Sequence, residues 1–285
     1  MVIVGAGSLA SFLAPVLADA GYRITEIIAR GRPQSLGRAR ALARKVKAQA
    51  VTMEGASLDA ELMWFCVPDR EIRKVALAAS RRAPFAVRYA FHSSGALLSW
   101  ELDGLRRAGV AVASVHPLMT FVTGARPSLR AVPFALEGDA SATKLAREIV
   151  RSLGAESFIL PAQRKAAYHA WATMTSPLLV AYLVTLEDAA RAAGLGRRDA
   201  RRMSFPIIRQ TLENYRRLGP AKSFSGPFIR GDAETVAKHL ALLKKKPATR
   251  TVYVALARAA LAGLPVKNRA RLLRLLNAGP SSKPS

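Results

Sequence analysis

The sequence predicts an α/β domain built on a doubly wound sheet, followed by an all-α C-terminal domain. Strand-like and helix-like segments alternate up to about residue 160, and only helical patterns follow. The chain also opens on a short apolar strand that runs straight into a G-x-G-x-x-A turn and then a helical run. We therefore expect domains at residues 1–161 and 162–277, with a disordered Gly/Pro/Ser/Lys tail at 278–285.

The opening turn has the residues that a dinucleotide-binding strand–turn–helix unit needs. Gly5 allows the tight turn, Gly7 lets the backbone approach a pyrophosphate, and the small Ala10 lets helix and strand pack closely. The expected helix at 11–20, which contains Pro15, would direct unpaired N–H groups at the anion. The predicted phosphate-binding residues are Gly5, Ala6, Gly7, Ser8, Leu9 and Ala10.

The second expected strand, 22–29, bears on the choice of cofactor. An NAD site places an acidic residue about 20 positions beyond the glycine motif, where it accepts hydrogen bonds from the ribose 2′-OH. That count from Ala10 reaches Arg30, while Glu26 lies inside the strand and is too early. Because arginine pairs with a 2′-phosphate, we expect NADP bound by Arg30 and Arg32. The alternative is that both are solvated loop charges.

The remaining segments of the α/β part alternate in the expected order. The expected strand 61–67 is apolar at every position after Glu61, which is typical of a central parallel strand buried on both faces. Pro68 and Asp69 stop this strand, and Asp69 is expected to cap a helix that runs to Ser80. Further helices are expected at 36–46 and 140–153, and further strands at 50–51, 85–91, 110–115, 132–136 and 157–160.

The all-α part is predicted to contain four helices. The first is long and closes at Gly194. The most apolar stretch of the chain, 171–186, is shorter than the ~20 residues that a bilayer span needs, so we expect no membrane helix. The expected helices cover residues 163–193, 199–218, 232–245 and 248–262.

Composition describes a globular protein. Of 285 residues, 51% are hydrophobic and 22% are charged, and the single cysteine, Cys66, excludes a disulfide framework. Because the chain begins inside its first strand, we expect no signal peptide and a cytoplasmic location. The net charge of +25 is spread along the chain without a nucleic-acid-binding motif, so we expect a solvated surface and no specific nucleic-acid partner.

Ligands of open α/β sheets bind beyond the carboxyl ends of the strands. Three expected strands end there in notable residues: Val67-Pro68, Ser93-Ser94 and His116. Histidine has a pKa suited to deliver a proton during hydride transfer, which makes His116 the preferred donor. His116 could instead bond backbone at a turn, and the two serines could either cap a helix near Ala96 or polarise a substrate carbonyl.

Other candidates keep two interpretations. His169 either packs in its helix or takes part in proton transfer, and Tyr168 is favoured as packing over acid. Arg230 is either a loop charge or a clamp on a substrate carboxylate. Cys66 and His239 are expected to be structural, and no residues have metal-ligand spacing, so we expect no catalytic metal.

Six motifs then occur in a recognisable order: the glycine turn, V-P-D, H-S-S-G-A, H-P-L-M-T-F, Y-H and G-P-F-I-R-G-D. In this order the chain resembles bacterial two-domain proteins with a Rossmann-type domain followed by a helical domain of unknown function (the 2520 type), which are provisionally labelled NADP oxidoreductases. They are similar in plan to pyrroline-carboxylate reductases and β-hydroxyacid dehydrogenases, whose helical domain dimerises.

The resemblance implies roles for particular positions. Val67 and Pro68 would lie under the cofactor, Ser93 and Ser94 near the nicotinamide, and His116 and Thr120 in the substrate pocket. The chain departs from the dehydrogenase pattern, because Lys165 lies one turn before the expected catalytic lysine and no Lys…Asn pairing is evident.

These observations lead to a functional hypothesis. We expect an NADP-dependent oxidoreductase, a homodimer through its helical domain, acting on a small, anionic carbonyl or imine compound. A noncatalytic NADP-binding sensor or scaffold is the alternative. The expected catalytic residues are His116, Ser94 and His169, and the expected substrate-binding residues are Thr120, Tyr168 and Arg230.

Overall fold

The computed structural model describes residues 1–82, 86–122, 124–125 and 127–278. The chain divides into two compact units, Met1–Met174 and Thr175–Ser285. This division falls after the boundary expected at residue 161, because helix α6 (Lys165–Thr175) groups with the first unit up to Met174.

The first unit is built on an eight-stranded sheet. The strands are β1 Val2–Val4, β2 Glu26–Ile28, β3 Gln49–Val51, β4 Leu62–Phe65, β5 Tyr89–His92, β6 Ala111–Pro117, β7 Pro133–Gly138 and β8 Glu156–Ile159. Their order in the sheet is β3-β2-β1-β4-β5-β6-β7-β8. The strands pair in parallel except for β6 and β7, which are antiparallel. The order reverses between β1 and β4, the switch point at which such sheets bind nucleotides.

The helices of the first unit lie between these strands in the chain, except α6, which follows β8. They are α1 Ser8–Asp19, α2 Pro33–Val46, α3 Asp69–Ser80, α4 Asp103–Arg106, α5 Ala140–Ser152 and α6, with short 3₁₀ turns at Ser99–Leu102 and Ala162–Arg164. The sheet separates two apolar cores, and alternation along β1 shows this: Ile3 packs on one face, and Val2 and Val4 pack on the other. The expected doubly wound fold is confirmed.

Local corrections have simple causes. Helix α1 begins at Ser8, earlier than expected, because Gly7 serves as its N-cap, and it continues through Pro15. Asp69 is the first residue of α3 and not its cap, which is Pro68. The helix expected near Ala96 starts later, as the turn at Ser99. The fifth strand is shorter than expected, and Phe85 at its predicted start lies outside the described residues.

The second unit is helical throughout. Its helices are α7 Pro177–Ala190, α8 Arg197–Ser223, α9 Pro227–Arg230, α10 Ala233–Leu243, α11 Pro247–Gly263 and α12 Arg269–Asn277, with a 3₁₀ turn at Arg191–Ala193. The single helix expected at 163–193 is wrong, because Ser176, which precedes a proline, leaves the helical region at φ −125° and ψ −74°. Gly219 interrupts α8 in the same way, with φ 74°.

Of the remaining predictions for this unit, the helix cap is confirmed and two helices had no prediction. Asp232 caps α10 as its position suggests, since its carboxylate accepts the Thr235 N–H at 3.0 Å. The short α9 and the terminal α12 were not expected, and residues 279–285 of the predicted disordered tail lie outside the described residues. No helix in the described part of the chain is both long and apolar enough to cross a membrane.

Candidate active site

A cleft of about 400 Å³ opens at the carboxyl ends of β1, β2 and β4. Its wall includes Gly5, Ala6 and Gly7 of the opening turn, and Val67 and Pro68 after β4. The structure thus brings together two segments that lie about sixty positions apart in the sequence. This is the place where a dinucleotide's phosphates would lie in a sheet of this topology.

The two glycines of the turn meet different demands. Gly5 has φ +115°, and a Cβ atom built there would lie 2.4 Å from the Cys66 carbonyl oxygen. Only glycine fits this position without shifting the backbone. A Cβ atom at Gly7 would meet nothing within 4 Å, so the backbone there faces open space in which a pyrophosphate could approach.

The rest of the glycine motif lies in the first turn of α1. Ala10 is fully buried and packs in the core, which matches the close helix–strand packing expected of it. Ser8 is exposed, and Leu9 packs partly against the same core. None of these three side chains lines the cleft, so their phosphate-binding role, through backbone N–H groups, stays a prediction.

Charged side chains of both signs line the cleft, including the carboxylates of Glu54 and Glu71. Arg30 lines it together with Arg38 and Lys74, and its predicted contact with a 2′-phosphate stays a prediction. Arg32 is the N-cap residue of α2 and lies outside the lining, so its role stays a prediction. Sequence reasoning missed Arg38, although a signal existed: it follows Ser35, which also lines the cleft, by one helical turn.

At the next strand end, His92 is a structural residue. Its side chain is fully buried, its Nδ1 accepts the Ser94 N–H at 3.1 Å, and its Nε2 donates to the Leu98 carbonyl at 3.0 Å. Burial, reinforced by the charge of Lys165, lowers the pKa of His92 to about 3. The imidazole is therefore neutral and holds the turn that follows β5.

The two serines of this turn are already engaged. Ser93 Oγ accepts from the Trp64 indole at 2.9 Å. Ser94 Oγ donates to Asp69 Oδ2 at 2.7 Å and accepts the N–H groups of Ala96 and Leu97 at 3.2 and 2.9 Å. One donor and two acceptors are the full capacity of a hydroxyl. Ser94 thus shapes the turn, and we do not propose it as a donor to the substrate.

His116, Tyr168 and His169 meet over the same turn. His116 Nδ1 lies 2.7 Å from the Tyr168 hydroxyl, and the two rings are perpendicular. A Cβ atom built on Gly95 would lie 2.7 Å from His116 Nε2 and 2.8 Å from His169 Cδ2. Both imidazoles therefore approach the same point above Gly95. They can do so only because glycine has no side chain to occupy that space.

Burial sets the ionisation of this cluster. Desolvation, with the charges of Lys165 and His169, lowers the pKa of His116 to about 4. Desolvation also raises the pKa of Tyr168 to about 12. At neutral pH the pair is accordingly an uncharged imidazole bonded to an uncharged phenol.

Beside the pair, Lys165 is almost completely buried, with 2% of its surface exposed. Its ammonium group donates to Ser114 Oγ and lies 3.7 Å from Glu137 Oε2. Ser114 Oγ in turn donates to the Ser94 carbonyl at 3.1 Å, and Glu137 accepts the N–H and O–H of Ser99 at 2.8 Å each. Desolvation outweighs the Glu137 and Asp69 charges and lowers the pKa of Lys165 to about 8.

Sequence reasoning did not find this charged network. The visible signals were weak: a polar Ser114 inside the apolar strand β6, and Glu137 near the end of β7. The two become neighbours only through the antiparallel register that pairs Ser114 with Glu137. Lys165 joins them through α6, which no spacing in the sequence predicts.

The other expected site residues are placed as follows. Thr120 is exposed in the segment after β6, and Arg230 is exposed at the end of α9 in the second unit, so their substrate-binding roles stay predictions. Cys66 is buried, which raises the pKa of its thiol to about 12 and disfavours a reactive thiolate. Within the described residues, no three His, Cys, Asp or Glu side chains are grouped to hold a metal ion.

The lowered pKa values of His92 and His116 predict that the folded protein loses stability in acid. Both bind protons less readily in the folded than in the unfolded chain, so the unfolded state gains protons first below pH 6.5 and stability falls. Between pH 7 and pH 5 we expect a loss on the order of 4 kcal/mol in the free energy of unfolding. Denaturant unfolding at both pH values measures it. His92→Gln should flatten this dependence and His239→Gln should not; an unchanged slope in His92→Gln contradicts the assignment.

Comparison with known proteins supports this architecture. Residues 132–260 match the family model described as Domain of unknown function (DUF2520). The resemblance inferred from the order of the motifs is thereby confirmed. No curated protein gives a significant match to the chain.

Solved structures resemble the chain over nearly its whole length. A Bacteroides fragilis protein provisionally named an NADP oxidoreductase is 22% identical, with 90% of this chain and 96% of that chain covered and a TM-score of 0.73. The Thermotoga maritima protein TM1727 is 23% identical, with 96% and 97% covered and a TM-score of 0.70. A Plasmodium falciparum pyrroline carboxylate reductase with NADP bound is 15% identical, with 95% and 97% covered and a TM-score of 0.56. At these identities the likeness establishes the fold.

Proposed function

We propose that the protein is an NADP(H)-dependent oxidoreductase that transfers hydride between the nicotinamide and a small carbonyl or imine compound. The observation that carries this proposal is the cleft in which the Gly5–Gly7 turn and Arg30 and Arg38 lie together. The turn suits a pyrophosphate, and two guanidinium groups suit the 2′-phosphate that distinguishes NADP from NAD. Among the solved structures named above, two carry NADP in their names.

The polar cluster begins where the cleft wall ends. Asp69 follows Val67 and Pro68 of the wall directly, and it accepts the Ser94 hydroxyl of the turn after β5. A nicotinamide that extends past Pro68 would therefore approach the turn on which His116 and His169 rest. This continuity supports a reaction centre above Gly95.

Protonation is assigned to the imidazole–phenol pair. In the reduction, hydride adds to the carbonyl or imine carbon, and a proton must reach the oxygen or nitrogen. With the Tyr168 hydroxyl donating to Nδ1, His116 would give its Nε2 proton to that atom while Nδ1 takes the phenol proton, and Tyr168 would recover a proton from solvent after the reduction. His169, across Gly95, is a second imidazole that faces the same point.

Lys165 is not assigned as the donor, because its ammonium group is buried and already bonded to Ser114. We propose that it acts through His116, whose neutral form its charge favours. The basic surplus of the chain supports an anionic substrate, so oxo acids and cyclic imino acids come first in a screen.

Cofactor choice gives the first test. We expect Arg30→Ala and Arg38→Ala each to weaken NADPH binding about tenfold, with little effect on NADH, because each removes a charge-assisted contact to the 2′-phosphate. Fluorescence titration of both nucleotides measures this. Arg23→Ala, an exposed arginine outside the cleft lining, is the control. Equal affinity of the wild-type protein for NADPH and NADH would count against an NADP site.

A screen for NADPH consumption then separates an enzyme from the sensor alternative. Turnover with an oxo acid or imine supports the oxidoreductase. Tight NADPH binding without turnover across the screen would favour a noncatalytic sensor or scaffold.

We also propose a homodimer formed through the second unit, in a protein that works in the cytoplasm. Large apolar side chains are exposed on α7 and α8, among them Leu178, Val180, Phe205 and Ile207. Exposed apolar surface of this kind is typical of protein interfaces. Light scattering of the purified protein measures the state, and a monomer at micromolar concentration would contradict the proposal.

A further inference from the structure

One wall of the nucleotide cleft is a loop between β3 and β4, residues 53–58, which we call the wall segment. Met53 and Glu54 of this segment line the cleft. Helix α3 lines it too, through Val75 and Ala78, with Lys74 beside them. A loop of this kind would be mobile if nothing held its backbone.

Arg82 holds the first part of the wall segment. It lies one helical turn beyond Ala78, just after the end of α3, and its guanidinium donates to three main-chain carbonyls. The acceptors are the oxygens of Met53, at 2.8 Å, of Glu54, and of Ala56, at 2.7 Å. Only arginine presents several donors in a rigid planar fork that can satisfy three carbonyls together.

Glu26 holds the second part from β2. Its side chain is 4% exposed, and its two carboxylate oxygens accept the N–H groups of Ser57 at 2.8 Å and Leu58 at 3.1 Å. Leu58 has φ +57°, a left-handed conformation that is unfavourable for leucine and persists here in a buried position. Glu26, which lies too early in the sequence to bind a ribose, therefore binds backbone N–H groups of the wall segment.

We infer that Arg82 and Glu26 are positioning residues for the adenosine half of NADP(H). They hold the wall segment from opposite ends, so that the cleft receives the adenosine 2′-phosphate portion without first ordering a loop. Preorganisation of this kind strengthens binding by removing an ordering cost, not by adding a contact. The inference rests on the proposed function, since it takes NADP(H) as the ligand of the cleft.

Ligand fragments test the inference. We expect Arg82→Ala and Glu26→Gln to weaken binding of NADPH and of adenosine 2′,5′-bisphosphate by the same factor, about tenfold. Binding of reduced nicotinamide mononucleotide should not change. Arg81→Ala is the matched control, because it removes the same charge from the neighbouring exposed position. Calorimetric titration of the full chain measures all three ligands.

Hydrogen exchange gives a second readout in the unliganded protein. The amides of residues 53–58 should exchange faster in Arg82→Ala, while those of β1 and α5 keep their protection. Arg82→Lys retains the positive charge but loses the planar guanidinium that bonds three carbonyls, so its effect should match that of Arg82→Ala. If the alanine variant does not fold, the lysine variant provides the same test.

The outcomes are distinct. Unchanged affinity for adenosine 2′,5′-bisphosphate in both Arg82 variants overturns the inference and leaves the NADP proposal standing. Equal weakening of the mononucleotide indicates general damage and also overturns it. A wild-type protein that binds neither NADPH nor the bisphosphate removes the proposed function itself.

Discussion

Replacing His116 by glutamine should lower kcat for NADPH-dependent reduction by about 10²- to 10⁴-fold, the usual contribution of a positioned proton donor. The amide keeps approximate size and hydrogen bonding but cannot exchange a proton between two ring nitrogens. Affinity for NADPH should stay within about twofold, because His116 does not line the nucleotide cleft. Initial rates with the substrate found by screening, together with NADPH titration, measure both effects.

The second unit offers a matched control for this experiment. His239 Nδ1 lies 3.0 Å from the Tyr253 hydroxyl, which reproduces the pairing of His116 with Tyr168 at a helical packing position. His239→Gln should leave kcat unchanged, whereas Tyr168→Phe should lower it by about tenfold or more by freeing the His116 ring. Full turnover in His116→Gln would contradict the proton-donor role.

Adding one methyl group at Gly95 should cost about 10²-fold in kcat, the second large effect that we expect. A Cβ atom there would lie 2.7 Å from His116 Nε2 and 2.8 Å from His169 Cδ2, so at least one imidazole must move. Ring nitrogen shifts of His116 and His169 in ¹⁵N NMR spectra should change with the rate. Gly263→Ala is the control, because its Cβ position is open.

Gly95 separates the steric effect from a backbone effect. Its φ lies outside the left-handed range, so alanine adopts its conformation and only the space above it is lost. Gly95→Ala with wild-type kcat and unchanged histidine spectra would show that the imidazoles do not depend on this gap.

Much of the architecture could be predicted from the sequence because it depends on local chemistry. The apolar strand that follows Glu61, the helix cap at Asp232 and the glycine turn each follow from nearest-neighbour sterics and periodicity. Where the predictions were wrong, a local rule had been underweighted. Pro177 divided the long helix, and Gly7 capped α1 earlier than its apolar pattern suggested.

The candidate site could be predicted only in part. Strand-end position predicted that the segments at Gly5, Pro68, Ser94 and His116 lie at one edge of the sheet, and they do, since all parallel strands of such a sheet end there. It could not show that the Ser94 hydroxyl already makes all the hydrogen bonds it can, or that the His92 ring is hydrogen-bonded to the turn that follows it. Hydrogen-bonding capacity depends on partners that lie far away in the chain.

By itself, therefore, the sequence determined the fold class, the glycine turn and the arginine after β2, because each depends on a few adjacent residues. Only the tertiary structure brought Lys165, Ser114 and Glu137 into one buried network and His116 onto Tyr168. It also showed the role of Glu26, which the sequence had only excluded from a ribose site: its carboxylate accepts two backbone N–H groups. The physical reason is burial. Desolvation sets the charge of a buried side chain, and contacts between distant parts of the chain set which hydrogen bonds it can still form. Neither effect can be derived from neighbouring residues in the sequence.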